Sequence, residues 1–188
     1  MQIPINNIVE SLEKIMTWHE VDVKHGQRTA RTAVLIGERL EYNRTQLQLL
    51  DYAARLYDFG RTGIDHELVR THARYTDSER GAMERHCQIG FDMLKPAKLP
   101  NEITMTVLHH HERWDGSGYP RGLKGKEIPL NARIVAVADV WDALRTNRPY
   151  RKAYRQRLAV GVIKDMRAGF DPKILDIFLD LLNEGLVR

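Results

Sequence analysis

The 188-residue sequence contains a single cysteine, Cys87, so no intrachain disulfide can staple it and no cysteine cluster can hold zinc. Such sparing use of cysteine suits a reducing compartment, and the cytoplasm is the expected location. No apolar run is long enough to span a bilayer, and Met1 to Trp18 mixes Asn, Glu and Lys among its apolar residues where a secretory signal would have an uninterrupted apolar stretch. No membrane association is expected. Neither sign of charge dominates: 29 Lys and Arg stand against 25 Asp and Glu, a formal net charge of +4, scattered without a basic tract. That balance permits anionic ligands without the footprint of a nucleic-acid binder. Internal repeats, low-complexity segments and strand-like alternation are also missing.

What is present is helical periodicity. Leu47, Leu50, Ala54 and Tyr57 recur at helical spacing, and the punctuation agrees with them. Asn43 with Gln46 and Thr76 with Glu79 have the form of capping boxes, Asp171 followed by Pro172 reads as an N-cap and first helical residue, and Gly60 and Gly169 read as stops. The pattern predicts helices near 3–18, 22–41, 44–59, 77–95, 100–111, 130–146, 156–168 and 172–187. A chain of this length fits one core, so the expectation is an all-α, single-domain bundle with a polar site between its helices.

Three segments carry chemistry. The run His109-His110-His111-Glu112-Arg113-Trp114-Asp115-Gly116-Ser117-Gly118-Tyr119-Pro120 closes an apolar helical stretch and opens a long irregular segment that lasts until Pro129. Loops of that length in a compact domain are usually functional. Leu56-Tyr57-Asp58-Phe59-Gly60-Arg61 ends another helix, and Asp139 sits inside the apolar run Ile134 to Trp141. A carboxylate so placed must be paired or metal-bound, and Arg133 and Arg145 do not lie at the favourable i, i+4 spacing.

Together these segments resemble the HD-GYP family, the group of HD-domain metal phosphohydrolases associated with cyclic di-GMP hydrolysis. The resemblance runs from about Val21 to Asp171, with 1–20 as an N-terminal extension and 21–188 as the domain. It implies that His25, Asp58, His86, His110, His111 and Asp139 converge on one or two divalent transition metals, Fe or Mn ahead of Zn, with Asp58 shared between them. Imidazole and carboxylate suit such ions. Adjacent histidines point about 100° apart on a helix, so His110 and His111 can reach one ion only at a helix end. The resemblance further implies catalytic roles for Asp58 and Arg61, a substrate contact from Tyr119 beside the active site, and contacts to the phosphates of cyclic di-GMP from Arg148 and Arg151. It also makes Gly118, Tyr119 and Pro120 a docking loop for diguanylate cyclases or other signalling proteins. His109 is taken as a neighbour of the ligand pair, and His19, His66 and His72 carry no assignment. In this family the domain is usually attached to receiver or sensor modules, so the chain reads as either a stand-alone regulator or an output domain.

Two positions depart from the family. Tyr57 stands where the histidine of the HD motif belongs, and Arg61 where the family usually has lysine. The phenol, with an ordinary pKa of about 10, is a poor ligand for Mn or Zn. It either packs in the core or serves as a phenolate to ferric iron. Val21 occupies the position at which a third metal would need glutamate. Two readings follow: a phosphodiesterase that opens cyclic di-GMP to linear pGpG or to GMP with weakened activity, or a degenerate domain that binds nucleotide or a partner without turnover.

Overall fold

A computed structural model describes residues 4–70, 75–147 and 151–187. Ten α-helices are formed among them: α1 (Ile5–Trp18), α2 (Val23–Arg39), α3 (Arg44–Leu56), α4 (His66–Arg70), α5 (Asp77–Glu84), α6 (His86–Leu94), α7 (Asn101–His109), α8 (Leu130–Arg145), α9 (Gln156–Asp165) and α10 (Pro172–Asn183). None is long and apolar enough to cross a membrane.

Local chemistry sets several helix ends. Asn43 and Gln46 exchange side-chain and backbone hydrogen bonds at the start of α3, and Thr76 and Glu79 do the same at α5. At α10 the Asp171 carboxylate accepts from Lys173 N, with Pro172 as first residue. The single helix expected over 77–95 is two helices meeting at Arg85. The break has a cause in the side chain of His86, whose Nδ1 takes the Met83 carbonyl at 2.6 Å and so competes with the helical ladder. The short α4 has too few residues for a periodic signal.

The two glycines expected to be stops act otherwise. The α3 helix ends at Leu56, and Gly60 lies inside a following 3₁₀ turn, Phe59–Gly63. A β-carbon there would overlap the His86 carbonyl and the Gly90 backbone. Gly60 therefore allows this turn to touch α6. Likewise α9 ends at Asp165, and Gly169 closes a later 3₁₀ turn whose carbonyl accepts from Trp114 N at 2.9 Å.

The core has two apolar clusters. In the first, Ile36, Leu50, Tyr57, Ile134, Trp141, Ile163 and Phe178 join α2, α3, α8, α9 and α10. In the second, Val9, Met16, Leu56, Phe59, Leu94, Ile103 and Val107 join α1, α3, α6 and α7. The segment Leu56-Tyr57-Asp58-Phe59 is divided between them: Tyr57 faces one cluster, Leu56 and Phe59 the other. Asp58 is left at the seam, buried at 6% exposure.

The close approach at Gly60 gives a sharp test. Gly60→Ala must separate the turn from α6 and should cost about 3 kcal/mol, the upper range for overpacking. Gly81→Ala on α5, where a β-carbon meets nothing within 4 Å, should instead stabilise by about 0.5–1 kcal/mol. Urea unfolding of both variants checks the contrast, and equal effects would refute the packing role of Gly60.

Candidate metal centre

The seam between the clusters gathers ionisable side chains from α2, α6, α7, α8 and the turn after α3. Asp58, His86, His110 and His111 each offer a ligand atom, and the four atoms lie within 4.8 Å of one another. The His110-His111 pair reaches a common point because α7 ends at His109 and His110 is its C-cap. The helix stops two residues earlier than the periodicity suggested. Both histidines thus turn inward.

Hydrogen bonds orient the first two rings. Nδ1 of His86 faces the Met83 carbonyl at 2.6 Å and Nδ1 of His110 faces the Val107 carbonyl at 2.9 Å. A carbonyl only accepts, so each Nδ1 carries the proton and each Nε2 presents a lone pair. The two Nε2 atoms stand 3.3 Å apart, acceptor against acceptor. Asp58 Oδ1 lies 3.4 Å from His86 Nε2 and 3.8 Å from His110 Nε2, is buried, and accepts no hydrogen bond. Three lone-pair donors with no hydrogen-bond donor aimed among them are costly to bury. A cation with bonds of about 2.1 Å needs donors about 3–4 Å apart, and the carbonyl-anchored imidazoles are the usual support for metal-binding histidines. The residues present therefore fit a divalent transition metal.

Electrostatics agree. Burial, with His86 next, pushes His110 down to about 4. Burial likewise lowers His86, and burial with the neighbouring His110 lowers His111 well below the usual range. All three are neutral at pH 7. Burial opposes ionisation of Asp58, but Arg61, His86 and His110 outweigh it and hold the carboxyl below its usual range. The Arg61 Nε sits 2.9 Å from Asp58 Oδ1, yet neither atom has a hydrogen-bond partner. The contact is a charge pair whose N–H is not aimed at the oxygen. The terminal N–H groups of Arg61 have no partner among the described residues, and 30% of its side chain is exposed. The Arg61 fork is open to a ligand.

His25 and Asp139 are drawn elsewhere. The Tyr57 hydroxyl donates to Asp139 Oδ1 at 2.8 Å, and His25 Nε2 lies 2.9 Å from the same oxygen. On its other side His25 Nδ1 meets Asp142 Oδ2 at 2.5 Å, and Arg28 grips Asp142 through Nε at 2.8 Å and a terminal nitrogen at 2.9 Å. Burial opposes the His25 charge, but the bonds to Asp139 and Asp142 push it up to about 9. Burial raises the Tyr57 hydroxyl well above its ordinary value, with Asp139 reinforcing the effect. The phenol is neutral. Without a metal beside it the ring packs in the first apolar cluster and donates to Asp139.

Asp142, Arg28 and Glu112 had no role in the sequence reading. The first two were legible in principle, because Asp142 stands three residues after Asp139 and Arg28 three after His25, each on the face of its partner. Glu112 is 2% exposed and accepts Arg121 N at 2.8 Å and Leu123 N at 3.0 Å, tying the loop to the end of α7. Tyr119 packs its ring against His111, with centroids 4.8 Å apart. Gly118 has no room for a β-carbon against the His111 carbonyl and Arg113 N, while Pro120 is exposed. Trp114 anchors the loop, packing under the Arg133 guanidinium at 5.7 Å. Arg151 donates to the carbonyls of Ala143 at 2.7 Å and Leu144 at 3.2 Å and lies over the Tyr154 ring. Its donors are engaged at the end of α8. Arg148 lies outside the described residues.

Comparison with known proteins gives the arrangement a context. The family described as HD domain matches residues 10–174. The chain is 38% identical over 156 residues to the cyclic di-GMP phosphodiesterase response regulator RpfG of Xanthomonas campestris, covering 81% of this chain and 41% of that protein. It is 33% identical over 184 residues to a cyclic di-GMP phosphodiesterase of Thermotoga maritima, covering 94% of this chain and 49% of that protein. The chain thus spans less than half the length of these relatives. In fold it is similar to the HDG"Y"P protein Bd1817 from Bdellovibrio bacteriovorus, with a TM-score of 0.69 and 20% identity over 85% of this chain and 51% of that one.

The opposite shifts of His25 and His110 define a pH profile for the metal-free protein. His25, raised to about 9, contributes stability that is complete below its unfolded value of about 6.5 and is lost as pH rises through 9. His110, lowered to about 4, contributes stability that is complete above about 6.5 and is lost as pH falls through 4. Chelator-treated protein should be most stable near pH 6.5, with an alkaline limb of about 3 kcal/mol that His25→Gln removes. Urea unfolding from pH 4 to 9 measures this, and stability still climbing between pH 6.5 and 9 would contradict it.

Proposed function

The chain belongs to the HD-domain family as a member of its HD-GYP group, and from that premise we propose that it is a metal-dependent phosphodiesterase opening cyclic di-GMP to linear pGpG or to GMP. One observation carries the reading: the lone pairs of His86 and His110 and an Asp58 Oδ1 that accepts no hydrogen bond lie together with a ligand atom of His111, all within 4.8 Å. The substrate class rests on the names of the relatives, and Fe or Mn is preferred to Zn for the cation.

In this reading Asp58, His86, His110 and His111 hold one cation. The chemistry it supplies is Lewis acidity toward a phosphoryl oxygen and a lowered pKa for water. Arg61 grips a phosphate oxygen with its open fork, a geometry guanidinium forms bidentately, and Asp58 keeps that fork in place. Tyr119 lines the entrance beside His111, and the exposed side of its loop is the docking face for a diguanylate cyclase or another signalling protein. Tyr57 fills the place of a ligand and ties up Asp139, so the second cation position of the family is lost and turnover is slow.

Hydrolysis of cyclic di-GMP by Mn-loaded protein tests the reading. A His110→Ala, His111→Ala double variant should lose bound metal, with turnover down at least tenfold. Tyr57→His should raise metal content from one toward two and increase turnover. No hydrolysis by metal-loaded wild-type and Tyr57→His proteins alike would sink the enzymatic reading. Two metals and equal turnover in both would sink the role given to Tyr57. Separately, Arg148→Ala should weaken cyclic di-GMP binding about tenfold, as loss of a charge-assisted phosphate contact does. Calorimetry showing unchanged affinity would remove Arg148 from the site.

A further inference from the structure

The four donors of the cluster are not equally well held. His86 and His110 are fixed by hydrogen bonds from Nδ1 to the backbone carbonyls of Met83 and Val107. Asp58 sits on a turn pressed against α6. The ring nitrogens of His111 make no such bond among the described residues. Its surroundings are rings: His86 with centroids at 5.1 Å, His110 at 4.1 Å and Tyr119 at 4.8 Å. Two of these are themselves donors of the cluster. Tyr119 is the ring contact of His111 that comes from outside it.

Tyr119 owes its place to the loop. Its amide donates to the His111 carbonyl at 3.2 Å, and Gly118 before it lies flat on the backbone of His111 to Arg113. Just after it, the amides of Arg121 and Leu123 both end on the carboxylate of Glu112, at 2.8 and 3.0 Å. The side chain of Glu112 is fully buried, so water cannot replace either bond. This carboxylate is directly joined in sequence to His111 and closes the loop back onto it.

We propose that Glu112 is a positioning residue of the metal centre: its carboxylate latches the loop, the latched loop presses Tyr119 onto the His111 ring, and that contact orients the fourth donor of the cation site. The inference rests on the single-cation reading above. It makes the affinity for metal depend on the loop, although no loop residue is a ligand, and it couples any partner or substrate that moves the loop to the grip on the cation. A contact without a hydrogen bond is weaker than the carbonyl anchors of His86 and His110, so His111 is the arm most easily turned away.

Mn²⁺ alone is the probe, titrated into the chelator-treated 188-residue chain and followed by the loss of the free-ion paramagnetic resonance signal. Glu112→Gln keeps the volume of the side chain but sets an NH₂ against one of the two loop amides. It should weaken Mn²⁺ binding about tenfold or more, as loss of outer support for a ligand does, with helicity by circular dichroism unchanged. Tyr119→Ala should weaken it comparably, and adding Glu112→Gln to Tyr119→Ala should cost little more, because both act through one contact. Equal Mn²⁺ affinity in wild type and Glu112→Gln overturns the latch while leaving the cation site intact. A full further loss in the Tyr119→Ala background also overturns it, by assigning the effect of Glu112 to the end of α7 itself. Absence of Mn²⁺ binding by wild type overturns the cation site and the latch with it. If Glu112→Gln fails to fold, Tyr119→Ala alone decides, and unchanged affinity there refutes the proposal.

Discussion

Burial of ionisable groups at the seam between two apolar clusters is the constraint on which the rest of this structure turns. His25, Asp58, His86 and His110 are each at most 6% exposed, and every such group must be matched by a partner of opposite character or cost more than a small bundle can supply. The helices are arranged to make those matches. The α2 and α8 helices meet through His25 and Arg28 on one side and Asp139 and Asp142 on the other. His86 and His110 are turned inward by the carbonyls of Met83, near the end of α5, and Val107, in α7. Gly60 lets the turn bearing Asp58 close on α6. Removing a partner from such a set exposes the full desolvation cost of the group left behind.

Seen this way, Tyr57 has a structural part of its own in the set. A phenol is longer than an imidazole, carries one donor, and stays neutral when buried. Here it fills a position in the first cluster and spends its proton on Asp139. Asp139 then has a second donor in His25, which is charged because Asp139 itself and, on the far side of the ring, Asp142 together outweigh the cost of burial. Phenol, carboxylate, imidazolium, carboxylate and guanidinium form a chain in which every member is satisfied. The positive charge a cation would bring to this half of the seam is already present on His25.

Much of this was legible in the sequence, and the illegible parts share a cause. Helix starts carry their signal locally: an Asn or Thr with a Gln or Glu three residues on satisfies amides within the same turn. The stops at Gly60 and Gly169 were misplaced because glycine also serves close approach, and what approaches Gly60 comes from α6, far along the chain. The break at Arg85 was invisible for a similar reason, since His86 turns back to Met83 only because the cluster needs its other nitrogen. Asp58, His86, His110 and His111 were nameable through a resemblance. That His25 and Asp139 would pair with each other was not, because the substitution at Tyr57 acts through a hydrogen bond to a residue 82 positions away. Arg151 reads as a phosphate contact in sequence, yet its donors meet carbonyls at the end of α8, a partner no motif records.

The two halves of the seam are therefore energetically unlike. Around His25 the protein completes its own charges. Around Asp58 the set is less complete: Arg61 pairs with the carboxylate by charge alone, two nitrogen lone pairs face each other at 3.3 Å and the buried carboxylate oxygen accepts no hydrogen bond. Such an arrangement suits a small cation able to take nitrogen and oxygen together, the occupant proposed above. On that proposal the same argument accounts for a loop tied down by a buried glutamate beside these donors. Where part of the stabilisation comes from a bound ion, the element that covers the ion must be held as firmly as the ligands it covers.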